Sequence, residues 1–303
     1  MPTGFKVLDE TIGGGVRAGD LVMLGGPPGV GKTIASLQMA REVARNGDRA
    51  LYICYEHEEA ILATRLLALE TSDVAGSEQS ANRISSMLLQ GAKGHHGLVE
   101  TLAADPVVAE GLSRMRAYAD RLTLVRASGA HTTLEQIELL IDAHRREGER
   151  LVVFVDYLQK IPVQPSPPTE AEKVTRTVEG LKDLALAYHV PVIVISAVDG
   201  AGLEARRLRL YHLRGSSAVA FEADVVLMLN DKAKAVSKIH LAYDPVRAKT
   251  FRDWVVVSIE KNRGGPNLID LEFKKDFTHF RFEPDGGIVT EKLVDERLDD
   301  ELS

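Results

Sequence analysis

Residues Gly26 to Thr33 read GPPGVGKT and match G-x-x-x-x-G-K-[ST], the pattern of a loop that holds phosphate. Glycines at Gly26, Gly29 and Gly31 let the backbone curl until successive N–H groups point at one anion, with Pro27, Pro28 and Val30 between them. Lys32 adds a cation for the outer phosphates, and the Thr33 hydroxyl suits Mg2+. Ile34 continues into an apolar segment at helical spacing, so the positive end of a helix dipole faces the same anion. ATP and Mg2+ are the expected ligands.

Further residues carry charge where such a site needs it. Asp156 ends the apolar run LVVFV and is placed to hold the metal through its water shell. Glu56 follows a second apolar run, in YEHEE, and the expected sheet order sets that strand end beside the phosphate loop. A carboxylate there can orient and deprotonate an attacking water. Glu58 and Glu59 are rivals, and all three also fit solvated acids at a helix start. Lys261 and Arg263 lie in KNRGGP, a tight turn that either carries two solvated charges or presents them to a neighbour's γ-phosphate. Arg206, Arg207, Arg209 and Arg214 form a basic segment that is either solvated or turned toward a phosphate backbone. The pair His95-His96 has no partner at metal-ligand spacing and reads as loop. No nucleophile–base pattern of the serine or cysteine hydrolase kind stands out.

The elements that must position these residues alternate. Phe5, Leu8 and Ile12 suggest a short helix stopped by Gly13-Gly14-Gly15. Strands are expected at 21–24, 50–54, 122–125, 151–156, 190–195, 225–229 and 255–259, with a closing hairpin over 268–273 and 279–282. Helices are expected after the phosphate loop to about Asn46, over 56–69, over 132–146 behind a capping box of Thr132 and Glu135, and along the stripe Val174, Val178, Leu181, Leu184, Tyr188. Gly91 to Gly97 reads as a loop within a mixed stretch, and 162–168 as a proline-rich one. Strands alternating with helices imply an α/β fold: a mainly parallel central sheet with helices on both faces and antiparallel edge strands. One domain over 1–283 and an acidic tail over 284–303 are the expected division.

Composition narrows the class. The 303 residues are 45% hydrophobic, carry a formal net charge of −7, and include one cysteine. That charge argues against a surface coated for duplex DNA but permits a local basic channel. Cys54 alone forms no intramolecular disulfide and reads as a small core residue. No signal-like N-terminus and no membrane-length apolar run are evident, so a cytoplasmic protein without membrane contact is expected.

Eight segments occur in order over about residues 3 to 283: TGF, GPPGVGKT, YEHEEAILATRLLALE, VDYLQ, EAEKVTRTVEGLKDLALAYHVPV, HLRGSS, FEADVVLML and EKNRGGP. Together they resemble the C-terminal motor domain of DnaB-type replicative helicases, a RecA-like ATPase. The resemblance implies that Lys32 and Thr33 bind phosphates and Mg2+, that Asp156 is the Walker B acid, and that Glu56 is the catalytic glutamate. It implies that Arg65 lies near the nucleotide and that Lys261 and Arg263 enter the adjacent subunit's site. Arg214, Gly215 and Ser217 match the loop that follows single-stranded DNA through a ring, with Arg206 and Arg207 added as candidate DNA contacts. The resemblance also implies a homohexamer, in which one subunit's cations complete the next one's site. Three departures stand out. Ser196-Ala197 occupies the place of a glutamine that couples γ-phosphate state to the DNA loops. Gly215 stands where the family usually has an acid. The matched segments begin at the motor domain, so a motor without the helicase N-terminal domain and linker helix is expected. The competing expectation is a regulatory ATPase, like the circadian-clock or RadA-type relatives of RecA, whose ATP-dependent assembly gates a protein partner.

Overall fold

Five-residue apolar runs that leave no polar face can only be strands covered on both sides. The computed structural model, which describes residues 1–82, 84, 105–237 and 245–294, builds its sheet from them. Six strands are mutually parallel: β1 (Leu21–Gly25), β2 (Arg49–Cys54), β3 (Leu122–Arg126), β4 (Leu151–Asp156), β5 (Val192–Ser196) and β6 (Val225–Asp231). Antiparallel strands β7 (Trp254–Asn262), β8 (Ile269–Asp276) and the two-residue β9 (Arg281–Phe282) and β10 (Gly287–Ile288) extend one edge. The order is β10-β8-β7-β6-β1-β5-β4-β2-β3, with β9 on β8.

Side chains alternate between two cores because strand residues point to opposite faces. Val22, Leu24, Tyr52, Phe154 and Ile193 join one cluster with α1 (Lys6–Thr11), α2 (Lys32–Arg45) and α3 (Glu59–Thr71). After α4 (Pro106–Arg116), helices α5 (Leu134–His144), α6 (Glu170–Tyr188), the five-residue α7 (Gly200–Glu204) and α8 (Ser216–Glu222) complete the set used below. Leu21, Met23, Leu51, Val153 and Val194 join the other cluster with α5, α6 and α8. Tyr52 and Phe154 stack at 5.8 Å on adjacent strands, both fully buried, directly under the loops that carry charge. Each such side chain contributes roughly 1.5–3 kcal/mol, so the strand ends form a rigid platform.

Several expectations are corrected. Strands β5 and β4 lie between β1 and β2, so the end of β2 is not beside the phosphate loop within the sheet. Helix α3 starts at Glu59 rather than at residue 56, leaving YEHE as an irregular strand-to-helix link. Helix α5 is entered through Thr133, whose hydrogen bond lowers the Glu135 pKa, while the Thr132 hydroxyl accepts from the Ser128 N–H. Strand β5 begins at Val192, because Pro191 cannot donate to a ladder in the sheet interior. The fold also continues beyond residue 283: β10 pairs with β8, Leu293 bridges to Val236, and Val294 is buried. Residues 295–303, Gly91 to Gly97 and the pair His95-His96 lie outside the described residues. Among the described residues, no helix is long and apolar enough to cross a membrane.

Candidate nucleotide site

Residues 26–33 connect β1 to α2, with Gly31 as the helix N-cap at φ 104°. A Cβ there would fall 2.6 Å from the Phe282 ring, so both conformation and space require glycine. Lys32 folds back over the loop, its Nζ donating to the carbonyls of Gly26 at 2.7 Å and Pro27 at 3.0 Å. Burial lowers its pKa, opposed by the charges of Asp156 and Glu56. Lys32 is therefore half-buried rather than the freely exposed side chain a loop lysine suggests.

The Thr33 hydroxyl donates to Asp156 Oδ2 at 2.8 Å, joining the two residues expected to hold Mg2+. Asp156 is 1% exposed, and burial pushes its carboxyl up to about 6, with Glu56 adding to the rise. Tyr52 Oη also donates to Asp156 at 3.3 Å and shares a 2.7 Å hydrogen bond with Ser36. A buried carboxylate with raised pKa gains from a divalent cation, and one hydroxyl beside one carboxylate is the donor set Mg2+ takes when phosphates supply further ligands. Among the described residues there is no group of three or more His, Cys, Asp or Glu, so the protein alone does not form a closed metal cage. The donors fit a cation that arrives with a polyphosphate.

Register places Cys54 opposite Asp156, so the link after β2 emerges beside the metal acid. Glu56 is exposed there, and its charge is felt by Lys32, Asp156 and Tyr157. Its rivals are engaged elsewhere: Glu58 pairs with the Arg126 guanidinium at 2.7 Å and Glu59 accepts from the Arg126 N–H at 2.9 Å. Glu56 thus reaches the site across β4 rather than by adjacency to β1. Arg65 places its guanidinium 5.6 Å from the Phe280 ring and depresses the His57 pKa, which burial lowers first. Cys54 is fully buried with its thiol raised to about 11 by burial, an inert core residue.

The two cations lie at the end of the sheet opposite the phosphate loop: Lys261 is the penultimate residue of β7, paired with Val226 and not in the expected turn, and Arg263 follows the strand. Lys261 Nζ donates to the Ala220 carbonyl at 2.7 Å, and Arg263 Nη2 to the Phe221 carbonyl at 2.9 Å, both at the negative end of α8. The Arg263 side chain is 56% exposed. The structure thus separates Lys261 and Arg263 from Lys32 and Glu56 within one subunit. Beneath them lies a network that no motif signalled. Asp224 accepts from Lys182 Nζ at 2.7 Å, from the Leu21 N–H at 2.8 Å and from Arg263 Nη1 at 3.0 Å. Lys182 and Asp224 both fall in segments that carry the family resemblance, but nothing in their spacing pairs them.

The arginine group divides. Arg207 is buried: its Nη2 donates to both carboxylate oxygens of Asp270 at 2.8 and 2.9 Å, and its Nη1 to the Val294 carbonyl. Arg206 donates to the Val236 carbonyl and Arg209 to Glu260. These three tie the segment to the β6–β8 edge, which leaves Arg207 sequestered from any solvent-borne backbone. Arg214 is the exposed member, paired with Glu170 at 2.8 Å. It precedes Gly215 and the exposed Ser217 at the start of α8. Gly215 has φ 76°, and a Cβ would lie 2.3 Å from Val174, so α6 dictates glycine where the resemblance predicted an acid. One hydrolase-like constellation does form: His279 contacts Asp276 through Nδ1 at 2.9 Å and Ser77 through Nε2 at 3.0 Å. Ser77 is 6% and His279 4% exposed, so no substrate reaches the hydroxyl; the set clamps the segment after α3 to the β8–β9 turn.

Comparison with known proteins bears on this geometry. The family model described as DnaB-like helicase C terminal domain matches residues 1–282. The replicative DNA helicase DnaB of Rickettsia bellii is 26% identical over 298 residues, covering 92% of this chain and 57% of that protein. The chain thus spans little more than half the length of that curated relative. Among solved structures, one described as an ATPase domain superposes with a TM-score of 0.73 at 20% identity, covering 93% of this chain and 89% of that one. A DnaB-like replicative helicase, solved in a study of its interactions with primase, gives 0.71 at 19% identity, covering 93% and 61%. These likenesses establish the fold as that of the ATPase domain of such proteins.

Proposed function

The chain belongs to the DnaB-like helicase C-terminal domain family, and from that premise we propose that it is an ATP-hydrolysing motor domain acting on single-stranded DNA. The observation that carries the reading is the Thr33–Asp156 contact of 2.8 Å at the foot of α2, with Lys32 and Glu56 facing it. Backbone N–H groups of the phosphate loop hold the β- and γ-phosphates, and Lys32 leaves its two carbonyls to meet the outer oxygens. Thr33 and Asp156 would hold Mg2+, and the ion would supply charge neutralisation on those phosphates. Glu56 accepts the proton of the water that attacks the γ-phosphorus, and its exposure leaves room for that water.

Lys261 and Arg263 complete the site of an adjacent subunit. They lie at the end of β7 and in the turn that follows it, away from their own phosphate loop, and Arg263 is the more exposed of the two. A contact in which one surface meets a different surface closes into a ring where its rotation allows, and the family suggests a homohexamer. An arginine so supplied is worth on the order of 10³–10⁵ in turnover. Arg214, Gly215 and Ser217 form the DNA-facing loop, and a cytoplasmic role in replication or DNA processing is the setting that the family suggests. The test is ATP turnover with Mg2+, with and without oligo-dT at low salt. Stimulation and binding support the motor; turnover without either removes the DNA half, and no turnover at all removes the ATPase.

A further inference from the structure

A hydrogen-bonded path leads from the end of β4 to the Arg214 loop, and one side chain closes it. Gln159 sits on a 3-10 turn over Leu158–Lys160, three residues past Asp156. Its Nε2 donates to Ser196 Oγ at 3.0 Å and its Oε1 accepts from the Ala197 N–H at 3.1 Å. The Ala197 carbonyl in turn accepts from the Arg214 N–H at 3.1 Å. Ser196 is the register partner of Gly25, the last strand residue before the phosphate loop. The first turns of α6 brace both ends of the path. Lys173 Nζ donates to the Gln159 carbonyl at 2.8 Å, Glu170 pairs with Arg214 at 2.8 Å, and Val174 packs against Gly215.

We propose that Gln159 is the positioning residue that couples occupancy of the phosphate loop to the Arg214–Ser217 loop. A carboxamide is donor and acceptor at once, so it fixes the ends of β4 and β5 relative to each other through two bonds in opposite senses. Residue 197 has only a methyl side chain and enters the path through its backbone alone. Any nucleotide-driven shift of Asp156 or of Gly25 moves one end of this link. Because Ala197 bonds both Gln159 and Arg214, the shift reaches the Arg214 amide without passing through a side chain at 197. The proposal rests on residues 26–33 being the ATP site and extends that reading to the DNA-facing loop.

Hydrogen exchange of the Arg214–Glu222 amides, with and without a saturating Mg2+–ATP analogue, reads the coupling without needing DNA. Wild-type exchange is expected to change about fivefold or more on nucleotide binding. In Gln159→Ala that change should fall to near onefold, while nucleotide affinity stays within about threefold of wild type. Gln159→Glu keeps the acceptor for the Ala197 N–H and should retain more of the coupling than alanine does. If the alanine variant fails to fold, Ser196→Ala removes the partner of Nε2 and is read the same way. An undiminished nucleotide response in these variants, or no response in wild type at saturation, overturns the proposal. Parallel oligo-dT binding by wild type separates the two claims: no binding in any nucleotide state sinks the DNA reading, while the exchange result still decides the role of Gln159.

Discussion

Replacing Asp224 with Asn is the sharpest perturbation of the network beneath Lys261 and Arg263. Asp224 and Lys182 are both nearly inaccessible, with side chains 9% and 11% exposed, and the lysine's other partner is the Gly19 carbonyl at 2.8 Å. Asparagine keeps the shape and one acceptor, so the bonds from Lys182, Leu21 and Arg263 are weakened rather than all deleted. Removing one member of a buried pair destabilises by about 3–5 kcal/mol, and a charge-assisted bond exceeds a neutral one by about 1 kcal/mol. With three donors converging, a loss of about 2–4 kcal/mol follows. For a domain of this size that is a Tm lower by roughly 3–6 °C. Thermal and urea unfolding measure it directly. Lys182→Met combined with Asp224→Asn removes the orphaned ammonium and should recover part of the loss, since buried pairs are often replaceable by apolar groups. A Tm shift below about 2 °C, or a double variant no more stable than Asp224→Asn, would refute the assigned burial energetics.

Lys32→Ala should abolish nucleotide binding while leaving Tm within about 3 °C, because its two bonds go to loop carbonyls, not to the core; fluorescent-nucleotide titration and thermal unfolding test both halves. Glu56→Gln should retain nucleotide affinity and lose turnover by about 10²-fold or more, whereas Glu58→Gln, which removes only the exposed pair with Arg126, should stay near wild type in the same phosphate-release assay. Arg263→Ala should keep binding and lose turnover, and mixing it with Glu56→Gln subunits should restore part of the rate; no recovery in mixtures argues against a shared site. Asp156 titrates near 6 against an ordinary 3.8, so the metal-free native state holds a proton that the unfolded chain lacks between those values. Its contribution to stability therefore declines as pH rises from about 4 to 6 and is flat above. Mg2+ must displace that proton, so Mg2+-dependent nucleotide affinity should fall about tenfold per unit below pH 6, measured by titration at fixed ionic strength.

The sequence by itself determined the parallel strands, the phosphate loop and the Asp156 acid. Each is a local rule: an apolar run with no polar face, glycine at fixed spacing, a charge where a strand stops. It also marked Arg263, since glycine and proline after a cation make an exposed turn, whereas Lys261 belongs to the end of β7 and is half-buried. Only the tertiary structure decided what depends on which strands become neighbours. Strand order put β5 and β4 between β1 and β2, so Glu56 approaches the site across β4, and Arg126 takes up Glu58 and Glu59. Burial withdrew Arg207 to Asp270, and the approach of α6 required glycine at 215. Asp224 with Lys182, and Gln159 with Ala197, lie about forty residues apart in the chain, and their partnership follows from packing that no periodicity encodes.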